Sequence, residues 1–192
     1  MSAWIEMVPD AVADDDLRPA LDLARTPHGT VDNVLRVHSL RPNTMRGHMT
    51  LYRSILHDDA NTLPTWLQET IGSYVSILNN CDYSLANHWA NARHLIGDSA
   101  RADAIEKALY ARRPQDALVG AELALLQYAE KLTLDPGKMR EGDVVALREA
   151  GWDDGQILEA NQVVCYFCYV NRSINGLGVT TAGDIVGYYA ED

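Results

Sequence analysis

Apolar residues recur at helical spacing along almost the whole chain. Met45, Met49, Tyr52 and Leu56 fall on one face of the stretch NTMRGHMTLYRSILHD, and PTWLQETIGSYVSIL (64–78) and GAELALLQYAEKLTL (120–134) are longer apolar runs that suit helices. Proline and glycine punctuate the pattern: Pro42, Pro64 and Pro114 mark starts or stops, while Gly97 and Gly151 sit where helices end. The pattern predicts eight or nine helices. A short one covers Asp16–Ala24 with Pro19 in its first turn, and another runs from Asn33 to Pro42. The rest follow from Asn43 or Thr44, from Pro64 to Leu78, from Cys81 to Gly97, and from Asp98 or Ser99 to Pro114. Beyond them come a helix to Leu134, one ending at Gly151, and one from Asp153 or Asp154 into the Arg172 region. No alternating run and no Asn-Gly hairpin joins two β-rich segments, so the fold class is all-α. No repeat is detectable. The chain divides into an arm and short helix (1–34), a helical body (35–180) and a tail (181–192) read as a short helix or an interface arm, all within one structural domain.

The chemistry concentrates between Glu69 and His94. Cys81, Ser84 and His88 stand at i, i+3 and i+7, which on a helix is one face. Asn79 and Asn80 precede Cys81 and suit an N-cap, which would put the thiol in a first turn where N–H groups and the helix dipole favour thiolate. Glu69, on the preceding helix, can return over the same site, so His88 would accept or deliver a proton and Glu69 would orient it. Cys165 and Cys168 form a Cys-x-x-Cys, but inside an apolar helix that reads as buried, which favours a structural role over redox pairing. Trp89, Tyr166, Phe167 and Tyr169 read as core, with a pocket wall beside Cys81 as the alternative. His38, His48 and His57 are scattered and read as surface or satisfied histidines, and Arg172 is open between a carbonyl cap, an ion pair and an anion site. No Cys/His spacing suits zinc, and no cofactor or metal is expected.

Charge and composition narrow the partners. Sixteen basic against 27 acidic residues leave a formal charge of −11, which argues against nucleic acid and anionic membrane surfaces. No apolar run reaches the roughly 20 residues of a membrane helix, and the first residues lack a signal-peptide pattern. Three cysteines without a disulfide framework point to a reducing, cytoplasmic setting.

Glu69, Cys81 twelve positions later, Ser84 and His88, with an ending of AGWDDGQILEANQVVCYFCYVNRSINGLGV, resemble the alkylhydroperoxidase D and carboxymuconolactone decarboxylase family, in its longer peroxidase-related branch. The resemblance covers about residues 35–180. It implies an all-helical homo-oligomer, trimer or hexamer, with active sites near subunit contacts. It also implies a redox Cys pair served by a Glu/His proton relay. Glu69, Cys81 and His88 match that pattern, whereas Ser84 occupies the place of the second cysteine. A Cys81–Ser84 disulfide is therefore impossible. The leading expectation is a thiol-dependent oxidoreductase that reduces peroxides through Cys81, with an external thiol reductant or with Cys165 or Cys168 as resolving thiol, Ser84 donating to the thiolate. The first alternative is a non-redox, decarboxylase-like enzyme in which Glu69 and His88 act on a small carboxylated lactone or related acid. The second is a helical oligomer that binds a ligand without catalysis.

Overall fold

The computed structural model describes residues 2–189. Among them are nine α-helices: α1 (Leu17–Leu23), α2 (Asn33–Arg36), α3 (Pro42–Leu56), α4 (Thr65–Leu78), α5 (Asp82–Ile96), α6 (Ser99–Tyr110), α7 (Gly120–Leu134), α8 (Glu141–Glu149) and α9 (Asp154–Leu177). Three 3-10 turns at Asp10–Val12, Pro114–Asp116 and Pro136–Lys138 complete the described elements, which include no strand. The all-α expectation holds. The second predicted helix is shorter than expected: α2 spans a single turn, and the chain then turns through Val37–Leu40 to Pro42, which starts α3 at N1.

Helix α4 is the centre of the molecule. From Leu67 to Leu78 only Ile77 keeps partial exposure, because α5, α6, α7 and α9 pack around the rest. A helix surrounded on all sides should be apolar all round, yet α4 carries Glu69, Thr70, Ser73 and Ser76. Three of these solve the burial problem locally, since their hydroxyls donate to carbonyls one turn back: Thr70 to Trp66, Ser73 to Glu69 and Ser76 to Gly72. Glu69 has no such route and must find partners on another helix. Gly72 lets α9 come close: a Cβ there would stand 2.3 Å from the Phe167 ring.

Two apolar clusters result. The larger gathers α4, α5, α6, α7 and α9, including Ile71, Tyr74, Ile105, Leu126 and Phe167. The smaller joins Leu17, Leu21 and Ala24 to Leu35, Met45 and Met49. The N-terminal arm is pinned to the end of α9, with Trp4 N–H donating to Leu177 O and Thr180 N–H to Ser2 O. The tail reaches back from α9 without forming a helix, up to Tyr189; its last residues, 190–192, lie outside the described ones. No described helix is long and apolar enough to cross a membrane.

Candidate functional site

The turn between α4 and α5 builds the site. Asn80 has φ 52°, the left-handed conformation that Asn tolerates better than most residues. Asn80 N–H donates to Ile77 O and Cys81 N–H to Ser76 O, the paired bonds of a Schellman motif closing α4. The two asparagines therefore terminate α4 rather than cap α5, which corrects the sequence expectation. Cys81, at φ −111°, is itself the N-cap of α5.

Three residues on the face of α5 have different surroundings. Cys81 is 1% exposed and belongs to the larger core cluster. Burial pushes its thiol above the ordinary value, opposed by the backbone N–H and hydroxyl of Ser84 and the N–H of Tyr83. The expected drift toward thiolate is thus reversed, because loss of water outweighs the donors at the helix start. Ser84 and His88 instead line a cavity of about 310 Å³. Glu69 is completely buried, with Oε2 2.6 Å from His88 Nδ1, and its Oε1 accepts from Asn91 Nδ2 at 3.2 Å. Phe167 packs edge-on against the His88 ring, 4.5 Å between centroids. Glu69, Asn91 and Phe167, from three helices, thus fix one imidazole.

The cavity lies where the two clusters meet. Val34, Leu35 and Met49 face Tyr83, Tyr166, Val170 and Ile174 across it. Segments outside the helical body also supply its wall: Ala24–Thr26, His28 and Asp32 from the N-terminal side, and Ile185, Gly187 and Tyr188 from the tail. The tail is strapped down by side chains. Asp184 accepts from the Tyr83 hydroxyl at 2.6 Å and from Asn33 N–H at 3.1 Å. Asn87 holds Gly187 N–H, and Asn91 Oδ1 accepts Tyr188 N–H at 2.6 Å. Asn91 therefore joins the strap to Glu69. Burial raises Asp32 to about 6, helped by the Asp184 carboxylate and opposed by His28.

Several sequence readings change. Of the four aromatics proposed as core or wall, only Tyr166 lines the cavity; Phe167 reaches it through His88, Trp89 is buried elsewhere in the core, and Tyr169 is half exposed. Cys165 is exposed and Cys168 half-buried, because the buried stripe of α9 runs through Val163, Val164, Tyr166, Phe167 and Val170 and leaves them outside it. All three thiols are free, and Cys168 Sγ accepts from Asn79 Nδ2 at 3.8 Å. Arg172 donates to Cys168 O on its own helix, one of its three open roles. His48 and His57, read as ordinary, both line the cavity, paired with Tyr166 and Tyr52 at 2.9 and 2.7 Å. For His48 the signal is in the sequence, since it lies between Met45 and Tyr52 on the inward register of α3, as Asn91 follows His88 by three. No described group of three or more His, Cys, Asp or Glu side chains could hold a metal ion.

No family model matches the sequence, and no curated protein is similar to it. Solved structures do match. The alkylhydroperoxidase AhpD core of a peroxidase-related protein from Ralstonia eutropha JMP134 superposes with a TM-score of 0.81 at 23% identity, over 94% of this chain and 93% of its own. A peroxidase-related protein from Silicibacter sp. TM1040 gives 0.80 at 22% identity, covering 93% and 91%. The debrominase Bmp8 gives 0.73 at 16%, covering 94% and 91%; a cysteine-to-alanine variant of it was solved in complex with 2,3,4-tribromopyrrole. The chain therefore has the alkylhydroperoxidase D-like fold, as its motif and ending suggested.

Proposed function

We propose that this protein, built on the alkylhydroperoxidase D-like fold, is an enzyme that performs general acid–base catalysis on a small molecule enclosed in the cavity. His88 transfers the proton, and Glu69 orients it. The observation that carries this reading is the 2.6 Å contact between His88 Nδ1 and Glu69 Oε2. A carboxylate on Nδ1 fixes the tautomer with the proton on Nδ1, which leaves the Nε2 lone pair for a substrate proton. Ser84, beside it on the cavity wall, supplies a hydroxyl to hold the substrate. The cavity is at the small end of ligand sites, which span roughly 300–1,000 Å³. Its wall includes Arg25 and Arg53, which favour a carboxylate, and Tyr52, Tyr166 and Tyr188, which favour a flat unsaturated ring. A small carboxylated lactone or a related unsaturated acid meets both demands. Bmp8, of the same fold, binds a brominated pyrrole, so a ring ligand is compatible with this architecture.

The test is proton exchange. In deuterium oxide, the protein should exchange carbon-bound hydrogens adjacent to the carbonyl of small carboxylated lactones, and His88→Ala should lower that rate by roughly 100-fold or more. Exchange unaffected by His88→Ala would overturn the reading.

Peroxide reduction through Cys81 is the second reading. Its support is the ring of donors at the sulfur, from the Ser84 amide and hydroxyl and the Tyr83 amide. In that chemistry the thiolate sulfur takes one peroxide oxygen to give a sulfenic acid and His88 protonates the departing alkoxide or hydroxide; one external thiol then forms a mixed disulfide with loss of water, and a second releases Cys81 and leaves as the external disulfide. The pH dependence of Cys81 alkylation in a Cys165→Ser/Cys168→Ser background separates the two. The acid–base reading expects slow labelling and a pKa above the ordinary value, while a pKa well below about 8 that shifts in His88→Ala would favour the thiol.

A further inference from the structure

A second polar chain starts at the same cavity and leads out of it. Tyr166 on α9 and His48 on α3 both line the cavity, and both are almost completely buried. The Tyr166 hydroxyl lies 2.9 Å from His48 Nε2, and His48 Nδ1 lies 3.2 Å from His38 Nε2. His38 Nδ1 is 2.8 Å from Thr44 Oγ1, which donates at 2.8 Å to the Arg41 carbonyl. Arg41 and Thr44 are exposed at the start of α3.

The direction of every bond follows from its last member. A carbonyl only accepts, so the Thr44 hydroxyl spends its proton there and accepts from His38 Nδ1–H. Burial holds both imidazoles below their ordinary pKa, His48 as low as about 4 with His38 adding to the effect, so both are neutral near pH 7. A neutral His38 with its proton on Nδ1 offers only a lone pair at Nε2, which accepts from His48 Nδ1–H. By the same argument His48 Nε2 accepts from the Tyr166 hydroxyl. Four groups therefore stand head to tail between the inner wall of the cavity and the solvent at the start of α3. Each of them can both give and take a proton. The other ionisable rings facing the chain are Tyr169, 5.7 Å from His48, and Tyr52, 5.9 Å from Tyr166. Neither interrupts it.

We propose that Tyr166, His48, His38 and Thr44 form a proton relay between the cavity and the solvent at the start of α3. A proton released by the bound molecule passes to the Tyr166 oxygen as the Tyr166 proton passes to His48 Nε2 and the His48 Nδ1 proton to His38 Nε2. The His38 imidazolium then gives its Nδ1 proton to the Thr44 oxygen as the exposed Thr44 hydroxyl turns from the Arg41 carbonyl and releases its own proton to water. One proton leaves the cavity and one reaches solvent; Tyr166 ends neutral and His48 ends as the other neutral tautomer. The return of His48 and His38 to their starting tautomers resets the chain. This role rests on the acid–base reading for the origin of the proton, but the relay itself does not involve His88.

The test uses the full-length protein with 15N-labelled histidine. Long-range 1H–15N spectra at neutral pH should show His38 and His48 as Nδ1–H tautomers, with the His48 Nδ1 proton exchanging with water despite its burial. His38→Gln keeps a donor for Thr44 and an acceptor for His48 but cannot carry a proton onward. It should leave the His48 tautomer in place and slow that exchange by an order of magnitude or more, while His88→Ala should leave the exchange rate unchanged. His38→Asn, with circular dichroism to confirm folding of each variant, repeats the block with a shorter side chain. An Nε2–H tautomer at His48, or an exchange rate indifferent to His38→Gln and His38→Asn, would overturn the relay. Loss of the acid–base reading alone would leave tautomers and exchange as described, so the two failures are distinguishable.

Discussion

Replacing Gly72 by alanine would place a methyl group inside the Phe167 ring. A Cβ on Gly72 stands 2.3 Å from two ring carbons of Phe167 and 2.9 Å from a third, where carbon atoms in contact prefer about 3.5–4.0 Å. Relief requires a shift of more than an ångström, well beyond what a small adjustment supplies. Phe167 is fully buried and cannot turn freely, because His88 meets its ring edge-on at 4.5 Å and Tyr166 at 5.3 Å. Overpacking of this kind costs about 1–3 kcal/mol and sometimes more. The intrinsic preference for alanine over glycine in a helix returns at most about 1 kcal/mol. With a clash this deep the cost lies at the top of that range, so a net loss of about 2 kcal/mol is expected, which for a chain of this length lowers Tm by roughly 4–8 °C. Calorimetry of Gly72→Ala, Phe167→Leu and the double variant measures it. The double variant should be more stable than additivity predicts by at least about 1 kcal/mol, since the smaller side chain vacates the clash. A Gly72→Ala protein as stable as the wild type, or strictly additive changes, would refute the close approach of α4 to α9 that presses Phe167 onto His88.

Acid should weaken the fold through His48. Its pKa is 6.5 when unfolded and about 4 in place, so the folded state binds fewer protons between those values. The contribution is complete above pH 6.5 and is lost as pH falls toward 4, worth roughly 3 kcal/mol; urea midpoints of His48→Gln should therefore fall less steeply over this range. Asn91→Leu removes the acceptor of Tyr188 N–H and one donor to Glu69, so hydrogen exchange should accelerate at Tyr188 and its neighbours; unchanged protection there would show that Asn91 does not hold the strap. Alkylation of the native protein should modify Cys165 first, Cys168 next and Cys81 last, following their exposure, as peptide mapping can show.

The helices were legible because capping chemistry and apolar period agree for most of them. Asp98 and Asp153 cap α6 and α9 as their positions in the sequence suggest, and Gly97 takes the left-handed conformation that ends α5. The same reasoning failed at Asn79–Asn80. Asparagine serves both ends of a helix, and with α4 and α5 separated only by Asn79, Asn80 and Cys81 the local sequence does not say which end claims the asparagines. The alignment of Glu69 with His88 across two helices was readable from the motif. What lies between Cys81 and Ser84 was not: spacing places residues on one face but says nothing of how wide the buried part of that face is, and the cavity begins one turn beyond the thiol. The relay was invisible for a related reason. His38 and His48 meet through a turn, and Tyr166 joins them from 118 residues away, so only packing brings the chain together. The sequence suggests a short helix or an arm for the tail, and its ties to Asn87 and Asn91 explain why it forms no helix there: the N–H groups of Gly187 and Tyr188, which would close turns, are spent on those two side chains.

The central claim is that the Glu69–His88 couple, and not the Cys81 thiol, carries the chemistry of the cavity. The most direct measurement is kcat/KM of Cys81→Ser and His88→Ala, side by side, on whichever of a small set of carboxylated lactones and organic hydroperoxides the wild-type protein turns over. The account predicts that His88→Ala loses roughly 100-fold or more and that Cys81→Ser retains most of the wild-type rate. Loss of turnover in Cys81→Ser, or full activity in His88→Ala, would contradict it.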